Sequence, residues 1–271
     1  EQRVVWREGL TETIQYMKKS IGGKPYYYRL VTNSYSMAGT GISARRYMKL
    51  FVYWPVALLD APKKALLICF GSGSTAKALT DTQRLEEIDI VDTSKDILEL
   101  SNIVYPDPKE NPIHDKRVKL HVEDGRFYLQ THDKKYDIIT AEPPPPAFKG
   151  VVNLYTQEYF QLLYNRLAAG GVATYWLPVY QLRPSDSKAV IKAFCNVFAD
   201  CSLWAGAGFE WMLAGTKNLD APVSVERFRK QWQERTVGYE LKKLGFTSPE
   251  QFGASFIADG PRLKEWVASS K

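Results

Sequence analysis

Cysteine, histidine and methionine are scarce, at three, three and four among 271 residues. Cys69, Cys195 and Cys201 show neither metal nor redox spacing. Cys69 ends an apolar run and reads as a small core residue, and a reducing compartment is the expected setting. His114, His121 and His132 are scattered, with no His/Cys/carboxylate cluster to suggest a metal. Long hydrophobic runs are missing too. None approaches the roughly 20 residues that span a bilayer, and the best stretch, Leu50 to Leu59, is short and contains Pro55. Neither a signal peptide nor an initiator Met opens the chain, so Glu1 is expected to begin an excised or processed piece. Only Pro143 to Pro146 is low-complexity, and there is no internal repeat. The net charge of +6 is mild, with Lys and Arg spread along the chain, so a nucleic-acid partner is not indicated.

What is present is a hydrophobic content of 45%, enough for one sizeable core and a small appended domain. Residues 1–57 look β-rich. Thr11 to Met17 alternates polar and apolar residues, Gly22-Gly23 is a turn, and Tyr26 to Val31 is a partner strand, which predicts a hairpin or small sheet. The tyrosines here, Tyr26, Tyr27, Tyr28 and Tyr35, read as sheet-face residues. Arg45 to Leu59 reads as a helix broken or bent at Pro55. From residue 58 to 216 the pattern is α/β, with strands expected at 65–70, 87–91, 117–122, 136–141 and 171–176. A helix is expected from Gln157 to Leu167, with Thr156 as N-cap and Gly170-Gly171 as its stop. Ser185-Asp186 would cap another helix running to Phe198, before an antiparallel pair at 202–204 and 210–214. Residues 217–271, from Pro222 onward, read as short amphipathic helices.

The densest signal is Ala65 to Leu79, where an apolar run meets Gly71-Ser-Gly-Ser74 and a small-residue helix follows. Glycines allow a sharp turn and close backbone approach, and the helix N-terminus presents free N–H groups. About twenty residues on, Ile88 to Asp92 reads as a buried strand ending in a carboxylate able to accept ribose hydroxyls. The pair suggests a nucleoside cofactor. A third glycine of the dinucleotide pattern would fall at Ala76, a permitted variant, so NAD is not excluded by spacing. Five parallel strands finished by an antiparallel pair is the layout of S-adenosylmethionine-dependent transferases: a Rossmann-like α/β sheet, here with a small N-terminal β-domain and a helical C-terminal tail.

The chain resembles the spermidine synthase (polyamine aminopropyltransferase) family, and most closely its bacterial branch fused to a transporter-like membrane segment. The matching segments are Arg7 to Ile14, Gly71 to Thr75, Glu123 to Arg126, Tyr136 to Pro143, Gly150 to Phe160 and Gly170 to Leu182. The resemblance implies that Gly71, Ser72 and Gly73 approach the methionine-derived part of the ligand and that Asp92 holds its ribose. It places Asp124, with Gly125, at the adenine amino group. It puts Glu142 beside the reactive sulfonium, as the residue that takes a proton from an attacking amine. Tyr47, Trp176, Tyr180 and Gln181 are weaker candidates for the acceptor pocket. The implied ligand is S-adenosylmethionine or its decarboxylated form, with 5′-methylthioadenosine as product, and the implied partner is a small-molecule amine. A cytoplasmic location is expected, and a homodimer and a larger membrane-fused chain stay open.

Several positions depart from the family pattern. Ser72 stands where an acid is usual, Ala141 to Pro146 replaces an Asp-Ser-Ser-Asp-Pro loop, and Arg45 to Met48 replaces a Tyr-His-Glu segment. A diamine site needs carboxylates to offset desolvation of two ammonium groups. The nucleoside pocket is therefore better supported than putrescine as acceptor, and methyl transfer and a non-catalytic sensing role remain as alternatives.

Overall fold

The computed structural model describes residues 1–218 and 225–268, so the expected start of the C-terminal helices at Pro222 lies outside the described residues. Four antiparallel strands open the chain in the order β1 (Gln2–Glu8), β2 (Thr13–Ile21), β3 (Lys24–Thr32) and β4 (Tyr35–Gly39). The expected hairpin is the β2–β3 pair, and β1 and β4 extend it on either side.

Helix α1 (Ile42–Leu58) follows and continues through Pro55, so the chain is not broken there. A proline removes the N–H that would bond the carbonyl four residues back. That carbonyl, on Phe51, instead accepts the Thr174 hydroxyl at 2.8 Å, and Leu59 N–H bonds the Pro55 carbonyl at 3.2 Å. The sheet behind α1 thus satisfies the group that Pro55 orphans, and the helix survives.

The second sheet has eight strands: β5 (Lys64–Ile68), β6 (Glu87–Asp92), β7 (Val118–Val122), β8 (Tyr136–Ala141), β9 (Leu167–Pro178), β10 (Ser202–Ala207), β11 (Glu210–Thr216) and β12 (Phe256–Asp259). Their order is β12-β10-β11-β9-β8-β5-β6-β7. The five from β9 to β7 are parallel and β11, β10 and β12 are antiparallel. Between them lie α2 (Ser74–Asp81), α3 (Lys95–Glu99), α4 (Gly125–Thr131), α5 (Gln157–Arg166) and α6 (Pro184–Val197). The chain closes with α7 (Val225–Gln233), α8 (Arg235–Lys243), α9 (Glu250–Gly253) and α10 (Gly260–Ala268). Strands β5, β6 and β8 are almost wholly buried, as parallel strands covered on both faces must be. One apolar cluster, built on α1, α2 and α8, fills one side of the sheet, and another, built on α5 and α6, fills the other.

Several local expectations need correction. Gly170-Gly171 is not a helix stop: α5 ends at Arg166 and the glycines lie inside β9. Thr156 is the α5 N-cap, accepting from Tyr159 N–H at 3.3 Å. For α6 the cap is Arg183, and Asp186 reaches back to its N–H at 3.3 Å. The C-terminal stretch is not purely helical, because β12 pairs with β10 at the sheet edge. Cys195 and Cys201 are not independent thiols: the turn at Phe198 brings their Cα atoms to 5.3 Å and they form a disulfide. Among the described residues no helix is long and apolar enough to cross a membrane.

Candidate active site

Strand order reverses around β5, whose neighbours are β8 and β6, and open α/β sheets bind ligands beyond the carboxyl ends of strands at such a point. A cleft opens there, roofed by β4 of the N-terminal sheet, with Met37 and Ala38 facing the turn after β5.

That turn needs its glycines. Gly73 has φ +79°, and a Cβ there would lie 2.8 Å from the Phe70 ring. Gly71 has φ +55° and sits under Ala38. Ser72 between them is buried. Its hydroxyl lies 3.4 Å from the Gly39 carbonyl and 3.4 Å from Ser74 Oγ, tying the turn to the roof and to α2. Cys69, expected in the core, is instead half-buried on the cleft wall with φ +72°, and burial and nearby carboxylates push its thiol well above the usual range.

Asp92 ends β6 and lies on the wall. Its two oxygens accept the N–H groups of Phe70 and Ser94, each at 2.8 Å. It therefore fixes the glycine turn to β6 and keeps one lone pair per oxygen for a ligand. Burial raises its pKa to about 6, against the two backbone bonds that favour the charge. Asp124 caps α4, accepting from Phe127 N–H at 2.9 Å, and lines a second hollow that shares Asp92 and Cys69 with the first. Gly125 lines that second hollow through its backbone, while a Cβ there would lie 2.5 Å from Ile68 Cγ2, so the glycine also lets α4 pack on β5.

Glu142 follows β8, with its backbone N–H on the Ile68 carbonyl at 3.2 Å. The Thr75 hydroxyl, from the first turn of α2, donates to its carboxylate. Burial, reinforced by the Glu210 charge, raises its pKa to about 8 against the Thr75 bond. Its carboxyl thus holds a proton more tightly than a solvated one, and any cation brought against it favours the ionised form. The proline run beside it is held in place: Tyr155 OH donates to the carbonyls of Pro143 and Pro144 at 3.2 and 3.1 Å.

Tyr47 and Trp176 form the wall opposite, stacked at 6.2 Å with planes 10° apart. Tyr47 projects from α1 and Trp176 from β9. Trp176 Nε1 donates to Glu210 at 2.7 Å. Tyr180 and Gln181 lie farther out, joined at 2.5 Å, and Gln181 also accepts from Tyr35 OH. Tyr180 and Tyr47 line a shallower hollow on the far side of β4 with Glu210, so Tyr180 and Gln181 stand at the rim rather than beside Glu142.

Sequence reasoning missed Glu210 and Glu12, the last lining both hollows. Tyr35, read as a sheet-face residue, reaches the rim through Gln181, and Thr75, part of the Gly71 to Thr75 motif, had no role of its own there. Glu210 carried a signal of its own, a carboxylate opening an otherwise apolar strand.

Known proteins share the sequence pattern and the fold. A polyamine aminopropyltransferase of Streptococcus pneumoniae is 32% identical over 129 residues, 48% of this chain and 44% of that protein, so this chain spans less than half of that relative's length. One from Clostridioides difficile is 28% identical over 207 residues, 71% of this chain and 72% of that protein. The fold is that of a spermidine synthase solved with the transition-state analogue AdoDATO, with TM-score 0.77, 18% identity and coverage of 97% of this chain and 87% of that one. The family model described as the spermine/spermidine synthase domain matches residues 45–205, the span holding the glycine turn, Asp92, Asp124, Glu142 and Trp176, and the chain belongs to that family.

Proposed function

We propose that this chain transfers an aminopropyl group from decarboxylated S-adenosylmethionine to a small amine, releasing 5′-methylthioadenosine. The aminopropyltransferase relatives and the transition-state analogue bound to the structural neighbour support this reading. The observation that carries it is Glu142: a carboxyl group at the end of a central strand, in a buried setting, with proton affinity near neutrality.

The chemistry is one displacement. The amine nitrogen bonds to the aminopropyl carbon next to the sulfonium, the carbon–sulfur bond breaks, and its electron pair stays on sulfur. The nitrogen must shed a proton, and Glu142, held by Thr75, takes it. Proton affinity near the working pH is what general-base catalysis favours. In this reading Asp92 holds the ribose and Asp124 the adenine edge, while the Gly71–Gly73 turn lets the backbone close on the three-carbon arm. Tyr47 and Trp176 flank the incoming amine and exclude water. The protein supplies orientation and a proton acceptor.

Calorimetric titration with S-adenosylmethionine, its decarboxylated form and 5′-methylthioadenosine, followed by mass spectrometry of reactions with a panel of amines, tests this. Tighter binding of the decarboxylated donor and an amine product heavier by one aminopropyl group are expected. A methylated product would establish methyl transfer instead. Binding without any product would establish a sensing role.

A further inference from the structure

A second concentration of chemically competent side chains lies on the edge strand β7 and the helix that follows it, bordering the second hollow, which Glu123 also lines. His121 and Glu123 are two residues apart, so they project to the same side. His132 follows the last turn of α4. The turn from β7 into α4 folds all three together, with one ligand atom from each lying within 4.8 Å of the others. Two of the three histidines, separated in the sequence, thus share one neighbourhood with Glu123.

Each ring is anchored through one nitrogen. His121 Nε2 lies 3.0 Å from Asp89 Oδ1. A carboxylate only accepts, so Nε2 of the neutral ring carries the proton and Nδ1 presents a lone pair. His132 Nδ1 lies 3.2 Å from the Tyr128 carbonyl, with Thr131 Oγ1 at 3.1 Å. A carbonyl also only accepts, which leaves Nε2 of His132 as the lone-pair nitrogen. The rings are held by packing as well: His132 stacks on Tyr128 at 4.1 Å, and His121 lies against the same ring at 4.8 Å. Asp89 is buried and fixed by Tyr136 OH at 2.8 Å. Lys134, which shares Asp89 with His121, is also paired with Glu87. An imidazole whose second nitrogen is held by a carboxylate or a carbonyl is the arrangement that orients metal-bound histidines.

We propose that His121, Glu123 and His132 bind a divalent transition ion of the zinc class, with three protein ligands and an open fourth position. Two imidazoles and one carboxylate suit such an ion, whereas magnesium and calcium favour oxygen ligands throughout. Tetrahedral ligands at about 2.1 Å from an ion sit about 3.4 Å apart, so binding would draw these groups together by about an ångström or somewhat more. Rotation of the Glu123 side chain and small ring movements supply that. The ion would pin the exposed edge of the sheet to the end of α4, the helix that Asp124 caps.

The test uses the chelator-treated whole chain and Co²⁺ as a spectroscopic stand-in, with Zn²⁺ as competitor. One equivalent of Co²⁺ should give the visible absorption of a four-coordinate site, and Zn²⁺ should abolish it. His132→Gln and His121→Gln should each weaken binding by about tenfold or more, the scale seen when a site loses an anchoring group, and the double variant should lose it. No stoichiometric band in the folded wild-type chain would overturn the proposal, whatever the variants do. A band that persists in a folded double variant would overturn it as well, by showing that other groups hold the ion.

Discussion

Asp92 and Glu142 end strands that flank β5 on its two sides, yet the protein treats the two carboxylates differently. Asp92 has a backbone N–H on each oxygen, and its pKa rises only to about 6. Glu142 has a single hydroxyl partner and Glu210 nearby, and its pKa rises to about 8. In the proposed reading the nucleoside side is held by backbone geometry around Asp92, and the acceptor side by side chains from α1, α2, β9 and β11 around Glu142, whose pKa burial raises further. Glu210 follows the same trend, raised by burial despite the Trp176 bond. On the proposed function, the half fixed by backbone hydrogen bonds would grip the nucleoside and the half carrying Glu142 would take the proton, a division of labour suited to group transfer.

Breaking the acceptor half should have the largest effect. Glu142→Gln keeps the shape and removes the proton acceptor, and turnover should fall by roughly 10²–10⁴-fold, as for loss of a general base. Binding of 5′-methylthioadenosine, read calorimetrically, should change little. Unchanged turnover would make Glu142 a structural residue.

On the nucleoside half, Asp92→Ala should weaken binding of 5′-methylthioadenosine by roughly 2–4 kcal/mol, the worth of a pair of charge-assisted hydrogen bonds. The same change frees the N–H groups of Phe70 and Ser94, so the melting temperature should drop too. Unaltered nucleoside affinity would remove Asp92 from the ligand.

A smaller effect is expected behind the wall. Thr174→Val leaves the Phe51 carbonyl without its partner, which costs about 1–3 kcal/mol for a buried group. Thr174→Ser should recover most of it in denaturant titrations. No loss in the valine variant would mean that α1 tolerates Pro55 for another reason.

This same contrast decided what could be read from the sequence. The glycine turn, Asp92 and Glu142 were legible because buried parallel strands show as apolar runs and their ends are marked by Gly, Asp or Glu. The Tyr47–Trp176 wall was only weakly legible, since it depends on how α1 seats against β9, where Thr174 donates to the Phe51 carbonyl. Strand β12 is four residues with little buried surface, so it exists only because β10 offers an edge. His121 and His132 stand on different elements, and nothing in a linear reading shows that Tyr128 and Asp89 orient both rings.

The subtlest expected effect is on the pH dependence of stability. A carboxyl group whose pKa rises on folding binds more protons in the native state than in the unfolded chain between the two values. Its contribution is therefore fully present below the unfolded value of 4.5, declines as pH rises, and is lost above about 8 for Glu142. The stability of the ligand-free wild type relative to Glu142→Gln should fall across that window and level off above it. A flat difference would mean that Glu142 ionises as it does in water.

The most direct measurement is the titration of Glu142 itself, by infrared difference between the wild type and Glu142→Gln, with and without the decarboxylated donor. In the ligand-free protein, the protonated-carboxyl band assigned to Glu142 should disappear with a midpoint near pH 8, and the bound cationic donor should move that midpoint down. A Glu142 already ionised at pH 5, or a midpoint that the donor leaves where it was, would contradict the assignment of Glu142 as the group that receives the proton.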